Sequence, residues 1–237
     1  MTLATLRSIQ GVSVITLDDG KANVFSMPMI DAVNLALDAV PTDTGALLVR
    51  GRPRIFCAGF DLSVMQWAPP PEVACLVSAG LRLLLRLATF PRPVVAEVRG
   101  HAMALGALIA LVGDHRIGSS GRYQICMTEV AKALPLPNFV PATVMHYLPT
   151  SHGRRLLLQS ASFTPEQASA ADILDELVSD QDIEARSLGR ATELATLPSP
   201  AFGDAKRLCL QPIIDAATDF TKQTNLAFGV DRHNVKR

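Results

Sequence analysis

The stretch Ile55-Phe56-Cys57-Ala58-Gly59-Phe60-Asp61-Leu62 is a short apolar run that ends in an Ala-Gly turn and meets an acidic residue. Glycine lets a backbone come unusually close to a ligand, and N–H groups turn outward where a helix begins. The stretch therefore reads as a strand-to-helix turn able to cradle an anion or a thioester oxygen. The same pattern serves ordinary helix capping by Asp61, so a second stretch has to support the cradle.

Just upstream, Ala46 to Val49 is a continuous apolar run of the kind expected for a strand buried on both faces, stopped by Gly51. Residues 3–9 and 12–18 favour a hairpin turning at Gly11, and Asp18-Asp19-Gly20 breaks it. Ser26 is an N-cap with Pro28 early in the following helix, whose face of Ile30, Val33, Leu35 and Leu37 runs to about residue 40.

Downstream, Pro69-Pro70-Pro71 reads as a loop and Glu72 to Ala88 as a long helix. Pro93 to Val98 is a strand ended by Gly100, and Ala104 to Val112 an apolar helix, so the order strand, glycine turn, helix occurs twice. Short strands at His115 to Ile117 and Tyr123 to Cys126 precede a helical turn at Thr128-Glu129-Val130, closed by Pro135 and Pro137. Helices follow at Pro141 to Leu148 and Gly153 to Gln159. Thr164-Pro165-Glu166-Gln167 has capping-box spacing and opens a helix to Ala171. Ile173 to Val178 reads as a return strand, and the chain beyond Asp182 is helical in pattern, interrupted near Pro198, Pro200 and Pro212.

The 237 residues suffice for one domain with a real core and a small appendage. Twenty-two basic and 22 acidic residues cancel, which argues against nucleic acid and anionic membrane as partners. Apolar residues make up 49% and charged ones 19%, more apolar surface than a lone monomer needs, and subunit contacts are expected. The longest uncharged apolar run, Ala102 to Gly113, is too short to span a bilayer. Met1 to Ile9 lacks the basic start and apolar core of a signal peptide, so a cytoplasmic protein is expected. Cys57, Cys75, Cys126 and Cys209 are scattered, without CxxC or matching histidine spacing, and read as free thiols rather than a metal site. No GxSxG elbow, Walker loop or GxGxxG stands at a strand-to-helix junction.

Three stretches in order and spacing, Lys21-Ala22-Asn23-Val24-Phe25-Ser26, Phe56 to Leu62, and Gly100-His101-Ala102-Met103-Ala104-Leu105-Gly106-Ala107, resemble the crotonase family, the enoyl-CoA hydratase/isomerase superfamily. The likeness spans roughly residues 5–180. It implies an α/β fold, a crotonase-like spiral of ββα units over residues 1–190. A C-terminal helical region over 191–237 would serve in oligomerisation or as a lid on the CoA pocket. It further implies an acyl-CoA thioester as substrate, no separate cofactor, no metal, and a homotrimer or dimer of trimers. By the resemblance, backbone N–H groups of Phe60 and Leu105 hold the thioester oxygen. Such fixed donors are worth roughly 3 kcal/mol each as enolate charge develops. Ala22, Ala58, Asp61 and Leu62 lie along the CoA by the same resemblance, with packing or capping as the alternative for each. Arg50, Arg52 and Arg54 either meet CoA phosphates or form a solvated surface.

The sequence departs from the family at the carboxylates. Many family hydratases hold a water between two glutamates. The first of those positions is Leu108, which can neither accept nor donate a proton, and the second is Glu129. One carboxylate in a pocket that excludes water suits proton shuttling better than hydration, as in the family's Δ3,Δ2-enoyl-CoA isomerases. The expected function is therefore isomerase-like proton transfer by Glu129. A hydratase with a replaced carboxylate and a silent acyl-CoA binder are the alternatives. His101, just before the second turn, is either a substitute acid or base or a structural hydrogen-bonding group.

Overall fold

The computed structural model describes residues 2–230. The chain opens with the hairpin β1 (Ala4–Ile9) and β2 (Val12–Leu17), in which Ala4 faces Leu17. Helix α1 (Met27–Asp38) starts where the Ser26 hydroxyl accepts from the N–H of Met29, with proline in the first turn. Then come β3 (Ala46–Arg50), β4 (Arg54–Cys57), α2 (Leu62–Trp67) and α3 (Pro70–Ala88). Next are β5 (Val94–Val98), β6 (Gly100–Met103), α4 (Leu105–Leu111), β7 (His115–Ser119) and β8 (Ile125–Cys126). A 3-10 turn at Val130–Lys132 leads to α5 (Phe139–Tyr147), α6 (Thr150–Leu157), β9 (Ser162–Phe163), α7 (Pro165–Ala170) and β10 (Glu176–Val178). Four helices close the described chain: α8 (Ile183–Ala195), α9 (Ser199–Cys209), α10 (Gln211–Ala216) and α11 (Phe220–Phe228).

The strands form a six-stranded sheet in the order β1-β2-β3-β5-β7-β10 and a four-stranded sheet in the order β4-β6-β8-β9. Of each successive pair (β3 and β4, β5 and β6, β7 and β8), the first strand joins the large sheet and the second the small one. This repetition winds the chain into a spiral of ββα units. Pairing from β2 through β10 is parallel in the large sheet, with Leu47 beside Val94 and Val95 beside His115. A parallel strand needs cover on both faces. Leu47 and Val49 accordingly face the main core with α3 and α4, while Leu48 and Val95 face a second cluster beneath Ile183 and Ala191 of α8. Each such side chain contributes about 1.5–3 kcal/mol by leaving water.

The C-terminal helices pack back on the same core, to which Leu210, Ile213 and Phe220 belong. An ion pair with a buried lysine and a partly exposed aspartate fastens them. Lys206 Nζ of α9 lies 2.6 Å from Asp114 Oδ2, and that oxygen also accepts from the Val94 N–H at 2.8 Å. The rings of Phe139 and Phe220 meet edge-on at 5.0 Å. Residues 231–237, the end of the expected C-terminal region and the site of His233, lie outside the described residues. Among the described residues no helix is long and apolar enough to cross a membrane.

Several local expectations are corrected. Pro70 and Pro71 do not belong to a loop; they form the first turn of α3, where a missing N–H costs nothing. The strand expected over Pro93 to Val98 does end before Gly100, but Gly100 itself opens a further strand, β6, which runs beside β4. A side chain there would collide with the Arg54 carbonyl carbon at 1.9 Å. Ile173 and Leu174 are not strand; both N–H groups turn back to the Ala168 carbonyl oxygen and only Glu176–Val178 pairs. The capping box at Thr164 and Gln167 forms with both of its hydrogen bonds.

Candidate active site

The loop between β2 and α1 fixes the first turn. Asp19 accepts from the N–H groups of Lys21, Asn23 and Val24, which holds the loop closed. Asn23, fully buried at φ +52°, donates its amide to the carbonyls of Leu17 and Phe56 and so ties the loop to β4. The loop then pairs with the turn after β4. The Ala58 N–H donates to the Ala22 carbonyl, the Phe25 N–H to the Gly59 carbonyl, and the Asp61 N–H to the Phe25 carbonyl. These bonds engage the residues on both sides of Phe60. The Phe60 N–H itself has no backbone acceptor among the described residues.

The second turn joins β6 to α4. The Ala104 N–H donates to the Cys126 carbonyl at 2.9 Å, and Ala104 then takes φ +53°, ψ −122° before Leu105 opens the helix. The first N–H groups of a helix lack intrahelical partners, and that of Leu105 has no backbone acceptor among the described residues. The two turns touch. A Cβ placed on Gly59, whose φ is +90°, would lie 3.5 Å from the Leu105 nitrogen.

Glu129 follows β8, which pairs with β6, and so reaches the same place from a third segment. Its Oε2 is buried without a hydrogen-bond partner among the described residues. Burial pushes its carboxyl above the ordinary range, against smaller opposite pulls from backbone N–H groups and the Lys132 charge. Such a carboxyl takes and returns a proton more readily near neutral pH than an exposed one.

A cavity of about 160 Å³ joins these parts. Ala58, Phe60, Leu62, Leu105, Leu108 and Glu129 line it, together with Val77 and Leu81 of α3, Val140 of α5 and Phe228 of α11. Lys132 and the segment Leu134 to Pro137 complete the wall beside Glu129.

The structure separates the remaining candidates from this cavity. Ala22 contributes its carbonyl to the loop pairing, and the Asp61 carboxylate caps α2 by accepting from the N–H and hydroxyl of Ser63. Neither lines the cavity, nor do Arg50, Arg52 and Arg54. Arg50 donates to the Thr16 hydroxyl and Arg52 stands 3.8 Å from Asp18. His101 accepts from the Gln124 N–H through Nδ1, the structural alternative. Cys57 is buried and its thiol is pushed up to about 12 by burial, which leaves no thiolate for attack. Asn23, Lys132 and Phe228 escaped sequence reasoning. Of these, only Asn23 lies in a stretch, Lys21 to Ser26, that carries the family pattern.

The enoyl-CoA hydratase/isomerase family model matches residues 7–230. The chain belongs to this family. Among curated relatives in the enoyl-CoA hydratase/isomerase family, human mitochondrial enoyl-CoA delta isomerase 1 is 26% identical over 195 residues, 81% of this chain. The match spans about two thirds of the human protein's own length, 65%. A probable enoyl-CoA hydratase of Mycobacterium avium is 24% identical over 94% of this chain and 85% of its own. The solved structure of an enoyl-CoA hydratase from Mycobacterium ulcerans superposes with a TM-score of 0.90 at 30% identity, covering 96% of this chain and 100% of that one. The enoyl-CoA hydratase/isomerase fold is thus the crotonase-type spiral described above.

Proposed function

We propose that this protein is a Δ3,Δ2-enoyl-CoA isomerase that moves one proton with Glu129. The observation carrying the reading is the Glu129 carboxyl, whose Oε2 is buried without a hydrogen-bond partner among the described residues, in a cavity whose other hydratase position is Leu108. The substrate is a 3-enoyl thioester of coenzyme A. The thioester carbonyl sits between the N–H groups of Phe60 and Leu105, with Ala58 and Leu62 beside the CoA arm. The Glu129 carboxylate takes the C2 proton, the C–H pair forms the C1–C2 double bond of an enolate, and charge gathers on the thioester oxygen. That oxygen is where two preorganised donors act most strongly. The enolate pair then returns to form C2=C3, the C3=C4 pair takes the proton from Glu129 at C4, and the carboxylate is regenerated. Atoms and electrons balance with no cofactor.

Hydratase activity is the second reading, favoured by the names of the mycobacterial relatives. Leu108 counts against it, because water addition then has one carboxyl for two proton transfers. A panel of 2-enoyl and 3-enoyl thioesters separates the possibilities. The isomerase interconverts the two, a hydratase consumes the 2-enoyl form with water, and a silent binder only raises thermal stability.

The same reading extends to assembly as a homotrimer or dimer of trimers in the cytoplasm. Exposed Leu35 and Leu208 and four free cysteines support it. Phe228 at the cavity wall supports a lid role for the end of the described chain.

A further inference from the structure

Gly80 lies in the interior of α3, a long helix, where glycine is a poorer helix former than alanine. Nothing in the backbone of α3 requires it, and its contacts supply a reason. A Cβ on Gly80 would stand 2.4 and 2.6 Å from the Cε1 and Cζ atoms of the Phe60 ring and 3.2 Å from Cδ2 of Leu105. The two side chains whose backbones carry the unpartnered N–H groups therefore converge on the one place in α3 that has no side chain. The Phe60 ring is seated in that notch, and the next residues lining the cavity from the same helix are Val77 and Leu81, on either side of it.

We infer that Gly80 is a positioning residue that parks the Phe60 ring against α3 and so keeps it out of the acyl path; the inference rests on the proposed thioester site. A methyl group at position 80 leaves the ring little room on the helix side. The backbone of Phe60 is pinned through Ala58, Gly59 and Asp61, so the ring gives way by turning about its own side-chain bonds. The open direction is the cavity it already lines. The acyl chain then loses space, whereas the CoA moiety outside does not.

Titration calorimetry with coenzyme A and with saturated acyl-CoA thioesters of increasing length tests this without relying on turnover. Gly80→Ala is expected to bind coenzyme A as the wild type does and the longer acyl-CoA thioesters at least tenfold more weakly. Gly80→Ala combined with Phe60→Leu is expected to return within threefold of Phe60→Leu alone. Unchanged acyl-CoA binding by Gly80→Ala, or no recovery in the double variant, overturns the inference. If the wild type binds no thioester, the functional reading fails by itself. The notch is then judged from a crystal structure of Gly80→Ala, in which a turned Phe60 ring upholds it and an unmoved ring overturns it.

Discussion

Gly59 and Ala104 press the two turns of the site together so closely that a Cβ on Gly59 would lie 2.7 Å from the Cβ of Ala104. It would also lie 2.9 Å from the Met103 carbonyl oxygen, and the φ of +90° at this position suits glycine alone. Gly59→Ala therefore adds backbone strain to overpacking. The expected loss of stability is roughly 2–4 kcal/mol, read by urea denaturation. Displacing the Phe60 N–H should also lower kcat/KM on an accepted enoyl-CoA about 100-fold.

Ala104 makes the opposite prediction. Its φ of +53° with ψ of −122° is a conformation that L side chains rarely adopt, and such strain costs on the order of 1–3 kcal/mol. Glycine removes the strain but adds unfolded-state freedom worth about 0.4–1 kcal/mol. The balance favours Ala104→Gly by about 1 kcal/mol, seen as a higher urea midpoint with an unchanged slope. A lower midpoint would show that the Ala104 methyl packs better than the strain costs.

Burial raises the Glu129 carboxyl above its ordinary range. The unfolded chain then releases that proton at a lower pH than the folded one. Stability from this group is fully present below the ordinary carboxylate pKa and is lost as pH rises through the folded value. At neutral pH Glu129→Gln should melt a few degrees higher than the wild type. The difference should shrink in acid, as thermal melts at pH 4 and pH 7 will show. With Glu129 as the proposed base, activity runs the other way, kcat/KM of the wild type rising with pH as the carboxyl ionises.

The Asp114–Lys206 pair, at 2.6 Å with the lysine side chain 6% exposed, joins α9 to the strand region. Asp114 is the more exposed partner, its side chain 22% exposed, so removing the lysine strips a partly solvated carboxylate of a charged hydrogen bond and costs about 1.5–3 kcal/mol. Lys206→Met should lose that much in urea denaturation. Adding Asp114→Asn should recover most of it, because asparagine still offers an oxygen to the Val94 N–H.

Local chemistry was legible in the sequence, and long-range packing was not. The caps at Ser26 and Thr164 lie within a few residues of the groups they satisfy, and the apolar run at Ala46 needs both faces covered wherever it sits. The family pattern pointed to both turns and to Glu129, which the fold brings to one cavity, because each is a short motif. Gly100-His101-Ala102-Met103 shows no strand pattern of its own, because the partner that makes it a strand, β4, lies more than forty residues upstream. The apolar Ile173 and Leu174 suit a strand or a buried turn equally, and bonding to Ala168 decided. Lys206, Phe228 and Gly80 carry no local mark, since their meaning comes from Asp114, the cavity and the Phe60 ring. For Arg50 and Arg52 near the first turn, side-chain direction decides the neighbours they meet, Thr16 and Asp18, which sequence alone does not give.

The proposed isomerisation rests on Glu129 as the group that moves the proton. The most direct measurement is steady-state conversion of a 3-enoyl-CoA to its 2-enoyl isomer by the wild type and by Glu129→Gln, with thioester affinity followed by calorimetry. In Glu129→Gln kcat should fall by about 10²–10⁴ while affinity stays within threefold. Conversion by Glu129→Gln within tenfold of the wild-type rate would contradict it.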